Sequence, residues 1–124
     1  MVGFRTPDDV AYLADCLSSR ETLDKYQINF IYNAAAYLNT LEMMKSLQTK
    51  MFVPAHAAAA EDIADLAQYN IDKVLEIADK ITGICQEPLC FEAILQKLFI
   101  GYGLVMDFKQ YVLVAAPSAL IWRG

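Results

Sequence analysis

The chain has 124 residues, 56% of them apolar, with a formal net charge of −5 and a mean hydropathy of +0.29. This length suits one domain with a real core, and the high apolar fraction indicates that some apolar surface meets a partner. Scattered lysines and arginines argue against a nucleic-acid-binding protein, and the longest apolar run, 111–122, is interrupted at Pro117 and too short to cross a membrane.

The cysteines and the N-terminus predict a cytoplasmic location. The chain has three cysteines, an odd number, and none of them forms a Cys-x-x-Cys pair. Free thiols are typical of the reducing cytosol. The first residues also lack the charged stretch and apolar stretch that make a secretory signal.

The N-terminal part of the chain predicts a β-hairpin followed by a short helix. Residues 2–5 and 10–14, the second of them an apolar run, are predicted as two strands, and residues 6–9 place proline second and aspartate third, which suits a type I turn. Ser18 and Glu21 stand at the spacing of a capping box, which predicts the start of the helix.

The middle of the chain predicts a helix and a third strand. Asn33 is a favourable N-cap residue for a helix over 34–48. The next strand is predicted over 50–55, with Pro54 as the residue that stops it.

From residue 57 onward the composition becomes all-helical. The longest predicted helix covers 57–82, with Gly83 as its C-cap. A helix over 89–100 and a last one over 107–122 follow. The apolar face of the longest helix comprises Ile63, Leu66, Ala67, Val74, Ala78 and Ile81.

Two of the predicted strands end in side chains that can ligate a metal. Asp15 follows strand 10–14, and His56, the only histidine, follows Val53-Pro54-Ala55. Open α/β sheets place their sites at the C-terminal ends of strands, so we expect both side chains at such an edge. A catalytic zinc, however, needs three protein ligands and a water.

Both segments resemble motifs of the metallo-β-lactamase fold superfamily. Residues 3–15 resemble its fourth motif region, where a hairpin strand runs into a Gly-Asp pair, and residues 50–56 resemble its fifth motif, often Val-Pro-Gly-His or Val-Pro-Ser-His. The resemblance continues through the helical segments as far as residue 95. It implies that Asp15 bridges two divalent ions, zinc in the first place, and that His56 ligates one of them.

The resemblance covers only the C-terminal part of that fold. The His-x-His-x-Asp-His signature and the third-motif histidine are missing, and Ala14 and Ala57 stand where glycine is usual. We therefore expect the C-terminal portion of a hydrolase. The intact parent would use a metal-bound hydroxide to hydrolyse a small-molecule ester, thioester, amide or phosphoester. This chain alone would have an incomplete site, bind metal weakly and be inactive.

Other interpretations of these residues stay open. Asp15 could cap the helix that follows it, and a lone histidine after Val-Pro could be structural. Cys16 is interpreted as a small buried apolar residue. Cys85 and Cys90, in Cys-x4-Cys spacing without a second pair, are a weak zinc signal. In the alternative function, the chain is a non-catalytic interaction or dimerisation module.

The predicted fold class is α/β. A small sheet remnant of a metallo-β-lactamase-like αββα sandwich, residues 1–57, would be followed by an all-α C-terminal subdomain, residues 58–124. Because the half that covers the sheet in that sandwich is missing, we expect a homo-oligomer. The simplest form is a two-fold dimer whose interface includes the hairpin and strand 51–53.

Overall fold

The structure is a computed structural model that describes residues 3–27, 31–105, 107–109 and 111–112. Over these residues the chain is mixed α/β, with one three-stranded sheet and four helices. In chain order the elements are β1 (Phe4–Arg5), β2 (Val10–Ser18), α1 (Arg20–Tyr26), α2 (Ala34–Ser46), β3 (Met51–His56), α3 (Ala64–Ile84) and α4 (Phe91–Tyr102).

The sheet has the order β1-β2-β3, with β1 antiparallel to β2 and β2 parallel to β3. The predicted hairpin is confirmed, because the Asp9 N–H donates to the Thr6 carbonyl (3.0 Å) and closes the turn. Helices α1 and α2 form the crossover from β2 to β3. Parallel pairing places the C-terminal ends of β2 and β3 at the same edge of the sheet.

Strand β3 differs from the prediction at its proline. Pro54 lies inside the strand, which continues to His56. The proline has no N–H to donate, and the pairing with β2 becomes irregular beside it, so the strand tolerates the residue. On its other side β3 is partly covered, because Phe52 and Ala60 exchange two backbone hydrogen bonds (2.8 and 3.0 Å).

The helix caps confirm one prediction and correct another. Asn33 caps α2 as predicted, its side chain accepting from the Ala36 N–H (2.9 Å). Helix α1 is capped by Ser19, whose Oγ accepts from the Thr22 N–H (3.2 Å), and not by Ser18. Ser18 is buried at the end of β2, so the predicted capping box is wrong by one residue.

Helix α3 begins at Ala64 and not at residue 57, because the residues before it first pair Ala60 with β3. Its first turn is held by Asp62, whose Oδ1 accepts from the Ala64 N–H (2.8 Å). The helix also runs past Gly83, so the predicted C-cap is wrong and Cys85 takes that position.

Helix α4 is displaced by two residues from its predicted range of 89–100. Gly103 ends it with a φ of +63°, a left-handed conformation that glycine adopts without steric cost. Most of the helix predicted over 107–122 lies outside the described residues. Within them, the Tyr111 N–H donates to the Asp107 carbonyl (2.9 Å).

Two groups of buried apolar residues form the core, and α3 contributes to both. The sheet cluster comprises Ala11, Leu13, Cys16, Leu17, Leu41, Met44, Phe52, Ile63, Ala67 and Ile71. The helical cluster comprises Ile31, Val74, Ile77, Ile81, Ile94, Leu95, Leu98 and Phe99. Burial of Val74 beside Leu95 confirms the predicted inner face of the long helix, whereas Leu113, also expected there, lies outside the described residues. None of the described helices is both long and apolar enough to cross a membrane.

Candidate metal centre

The two predicted ligands lie together at the edge of the sheet. His56 Nε2 is 3.2 Å from Asp15 Oδ1, and the side chains are 60% and 63% exposed. Asp15 does not follow its strand as predicted, because β2 continues through it to Ser18, whereas His56 ends the neighbouring parallel strand β3. A ligand approaching from solvent could therefore reach both donor atoms.

A bulge in β2 carries Asp15 to this position. From Tyr12 to Ser18, β2 advances six residues while β3 advances only three, from Val53 to His56. Extra residues in one strand bend it and redirect a side chain. Two causes coincide here. Pro54 cannot donate to the ladder, and its partner Ala14 has a φ of +51°, in the left-handed region.

Backbone and side-chain hydrogen bonds fix the far end of the bulge. The Ser19 N–H donates to the His56 carbonyl (3.0 Å), which joins the two strand ends directly. The buried side chain of Asn70, on α3, binds both the N–H and the carbonyl of Ser18 (3.1 and 2.9 Å). Asn70 is not among the functional residues predicted from the sequence. An amide on the apolar face of α3, three residues after Ala67, is the signal that could have found it.

The donor geometry fits a pair of ligands on one ion. With bonds of about 2.0–2.2 Å and tetrahedral angles, neighbouring ligand atoms on zinc are roughly 3.4 Å apart. The separation of 3.2 Å between Asp15 and His56 is close to this value, and it also fits a direct hydrogen bond between the two side chains. Carboxylate oxygen and imidazole nitrogen together suit zinc, iron or manganese.

The donor set is incomplete within the part of the chain that the structure describes. There, no group of three or more His, Cys, Asp or Glu side chains is placed to hold a metal ion. Asp15 and His56 would supply two ligands, and a zinc site needs at least one more from protein. The residues present therefore fit part of a metal centre.

Cys16, next to Asp15 in sequence, is turned into the core. It is buried in the sheet cluster, its thiol donates to the Leu13 carbonyl (2.6 Å), and its sulfur lies 3.5 Å from Met44 Sδ. Burial raises the pKa of this thiol, and the negative charge of Asp15 contributes to the rise. A neutral buried thiol is a poor nucleophile and a poor ligand, which agrees with its interpretation as a small apolar residue.

A second feature, the edge cleft, lies between β1, β2 and α2. It has a volume of about 340 Å³. Its walls are mainly apolar, and on one side the exposed ring of Phe4 stacks on Tyr12 with centroids 4.9 Å apart. The residues that line it are Gly3, Phe4, Arg5, Ala11, Tyr12, Leu13, Cys16, Thr40, Met43, Met44 and Leu47. It does not contain Asp15 or His56.

Comparisons with known proteins found no match to this chain among family models, curated proteins or solved structures.

Proposed function

We propose that the chain is the C-terminal portion of a metal-dependent hydrolase of the metallo-β-lactamase fold, and that Asp15 and His56 are part of its metal centre. The observation that carries the proposal is their juxtaposition. Two side chains 41 positions apart in sequence lie 3.2 Å from each other, Asp15 in the bulge of β2 and His56 at the C-terminal end of the adjacent parallel strand β3. Both residues follow predicted strands, and the resemblance independently indicates the same two residues, because the family's ligands stand at the matching positions.

The backbone at Ala14 gives a second argument. This residue occupies the position before the aspartate, where the family usually has glycine, and its φ of +51° is one that favours glycine. Alanine adopts this conformation only at a cost, so the surrounding structure must impose it. The conformation required at that position supports the resemblance even though the residue differs.

Asp15 and His56 would contribute metal-binding groups to the parent enzyme. Asp15 has two carboxylate oxygens and can bind two cations at once, while His56 offers one neutral nitrogen. Divalent ions held there would polarise a carbonyl or phosphoryl oxygen and activate water for hydrolysis. The substrate would be an ester, thioester, amide or phosphoester. Because the other ligands are not among the described residues, we expect the isolated chain to be inactive.

Zinc titration followed by NMR tests the metal centre. His56 is the only histidine, so its ring signals are assigned without ambiguity. We expect Zn²⁺ to bind weakly, shift the His56 ring signals and leave well under one ion per chain after purification without added metal. The variant Asp15→Asn should weaken this response, whereas Glu61→Gln, a matched change at an exposed acid five residues from His56, should not. Zinc that perturbs only Cys85 and Cys90 would contradict the proposal.

Activity and gene structure give two further tests. The isolated chain, supplied with zinc, manganese or iron, should hydrolyse no ester, thioester or β-lactam. Saturable turnover that disappears in Asp15→Asn would show that the site is complete within this chain. In the genome, the reading frame upstream of Met1 should encode the His-x-His-x-Asp-His signature. An upstream region without it would contradict the parent hydrolase.

The edge cleft favours the alternative function, a dimerisation module. β1 is an outer strand of the sheet, its Phe4 side chain is 62% exposed, and Met43 beside it is 59% exposed. Arg5 and Asp9 already bond each other within the hairpin (2.6 Å), so the exposed apolar side chains, and not a charge pair, would hold two copies together across a two-fold axis. At β3, by contrast, Ala60 already pairs with the free backbone edge of Phe52. We therefore propose that the hairpin, more than strand 51–53, forms the interface.

Sedimentation tests this interface, which both the alternative function and the missing covering half of the parent fold predict. A dimer at micromolar concentration should be weakened by Phe4→Lys, because that change places a charge in the apolar interface. The matched control is Ile100→Lys on α4, where the native side chain is 73% exposed and far from the hairpin in sequence. A monomeric wild-type chain would remove the alternative, and it would also weaken the idea that a covering half is missing.

A further inference from the structure

Asn70 is a buried polar side chain that hydrogen-bonds to the backbone of Ser18, at the far end of the bulge that carries Asp15. It lies in the middle of α3 and is 1% exposed. Its Nδ2 donates to the carbonyls of Ser18 (2.9 Å) and Leu66 (2.8 Å). Its Oδ1 accepts from the Ser18 N–H (3.1 Å) and the Tyr37 hydroxyl (3.2 Å). These bonds use both donors and both acceptor sites of the amide.

The bonds to Ser18 replace strand pairing at a point where the sheet ladder is irregular. Ser18 ends the bulge in β2 that begins after Tyr12, and it is the register partner of His56. An amide that binds both the N–H and the carbonyl of one residue fixes that residue's backbone in position and orientation. The next residue, Ser19, then donates to the His56 carbonyl (3.0 Å). Helix α3 is thus joined through Ser18 to both strand ends.

We propose that Asn70 is the positioning residue of the Asp15–His56 pair. Asp15 lies within the bulge, between a regular ladder that ends at Tyr12 and the anchored backbone of Ser18. Because both ends of this segment are fixed, the extra residues have little room to rearrange, and the Asp15 carboxylate stays directed at His56 Nε2. The use of the pair as a metal centre rests on the proposed function. The geometric role of Asn70 does not.

The test measures the coupling between Asp15 and His56 directly. At a fixed pH, the ring ¹⁵N shifts of His56 are recorded in the wild-type chain and in Asp15→Asn, and the difference reports the contact between the two side chains. The same pair of spectra is recorded in the Asn70→Ala background. We expect the Asp15-dependent difference to be lost there, because the bulge is no longer anchored. A difference of unchanged size in a folded Asn70→Ala chain would overturn the proposal.

Two controls separate positioning from general stability. Val74→Ala removes buried volume one turn further along α3, in the helical cluster, and should keep the Asp15-dependent difference. Tyr37→Phe removes one donor to Asn70 but keeps both bonds to Ser18, and should also keep it. Loss of the difference in Val74→Ala as well would show that Asn70 acts only through stability. If Asn70→Ala does not fold, Asn70→Ser replaces it, since its hydroxyl keeps an uncharged polar group at the site but is too short to bind both the N–H and the carbonyl of Ser18.

A metal-binding measurement connects this role to the proposed function. Residues that orient metal ligands typically change affinity by roughly 10–100-fold when mutated, and we expect Zn²⁺ to bind Asn70→Ala at least tenfold more weakly than wild type. Equal Zn²⁺ affinities in the two chains would contradict the positioning role. Absence of Zn²⁺ binding even in the wild-type chain would contradict the proposed function alone, because the coupling between Asp15 and His56 would still decide the role of Asn70.

Discussion

The sheet cluster and the helical cluster are built on different principles, although α3 contributes to both. The helical cluster is composed entirely of apolar side chains that α3, α4 and Ile31 bring together. The region of the sheet cluster contains a bulge in β2, a proline inside β3, an alanine with positive φ and the buried amide of Asn70. The candidate metal centre and the edge cleft both belong to this second region.

The difference shows that the sheet region, unlike the helical cluster, keeps backbone conformations and buried polar groups that are unfavourable for stability. Apolar packing in the helical cluster needs only the right volume and periodicity. The sheet region keeps an unfavourable backbone conformation and a buried polar network, features that cluster at functional sites because the surrounding structure can impose them. The contrast predicts that polar substitutions in the helical cluster greatly lower the free energy of unfolding. In the sheet region it predicts that some substitutions raise it.

The largest effect is expected from a charge in the helical cluster. Val74→Asp would bury an unpaired carboxylate at a site that is 4% exposed, and it should lower the free energy of unfolding by about 3–5 kcal/mol. The matched control is Leu75→Asp, on the same helix but 48% exposed, which should cost less than about 0.5 kcal/mol. Urea unfolding of both variants checks this, and equal midpoints would mean that the inner face of α3 is assigned wrongly.

A smaller effect of opposite sign is expected in the bulge. Ala14→Gly should raise the free energy of unfolding by about 0.5–1 kcal/mol, because glycine adopts a φ of +51° without steric cost. Ala11→Gly, in the regular part of β2, should instead lower it by roughly the same amount. Thermal unfolding would show the two changes. Destabilisation by both would indicate that Ala14 is not strained.

The hairpin should respond to pH through Asp9. A side-chain hydrogen bond from Arg5 (2.6 Å), with Thr49 as a further partner, lowers the pKa of Asp9 in the folded state. Its contribution to stability is therefore fully present above the ordinary pKa of aspartate and is lost as pH falls through the lowered value. We expect Asp9→Asn to unfold at lower urea than wild type at pH 7, with the two converging once the pH falls below the lowered pKa of Asp9. A constant difference between them would contradict this.

The smallest predicted effect concerns the reactivity of the three thiols. Cys90 is exposed and Cys85 half-buried, whereas Cys16 is buried with a raised pKa. A thiol reagent at neutral pH should modify Cys90 first, Cys85 next and Cys16 only on unfolding. The variant Cys16→Ala should leave the fast phases of the reaction intact. Rapid modification of all cysteines in the folded chain would mean that the sheet cluster opens readily.

The sequence by itself determined the kinds of element and the position of His56 at a strand end. Apolar runs and turn chemistry identified the hairpin, Asn33 identified the start of α2, and helical periodicity identified the inner face of α3. These features follow from local backbone preferences and from the spacing of apolar residues, both of which can be read within a short window. The assignment of Asp15 and His56 as ligands came from the resemblance and remains a prediction.

Only the tertiary structure decided the features that depend on distant partners. Ser19 rather than Ser18 caps α1, because Asn70 of α3 holds the Ser18 backbone in β2. Helix α3 starts late because Ala60 first pairs with Phe52. The distance between Asp15 and His56 likewise depends on the bulge, which no short sequence pattern predicts. Bonds between residues far apart in sequence outweigh local propensity at each of these points, since a buried backbone group left unpaired costs more than a displaced helix end.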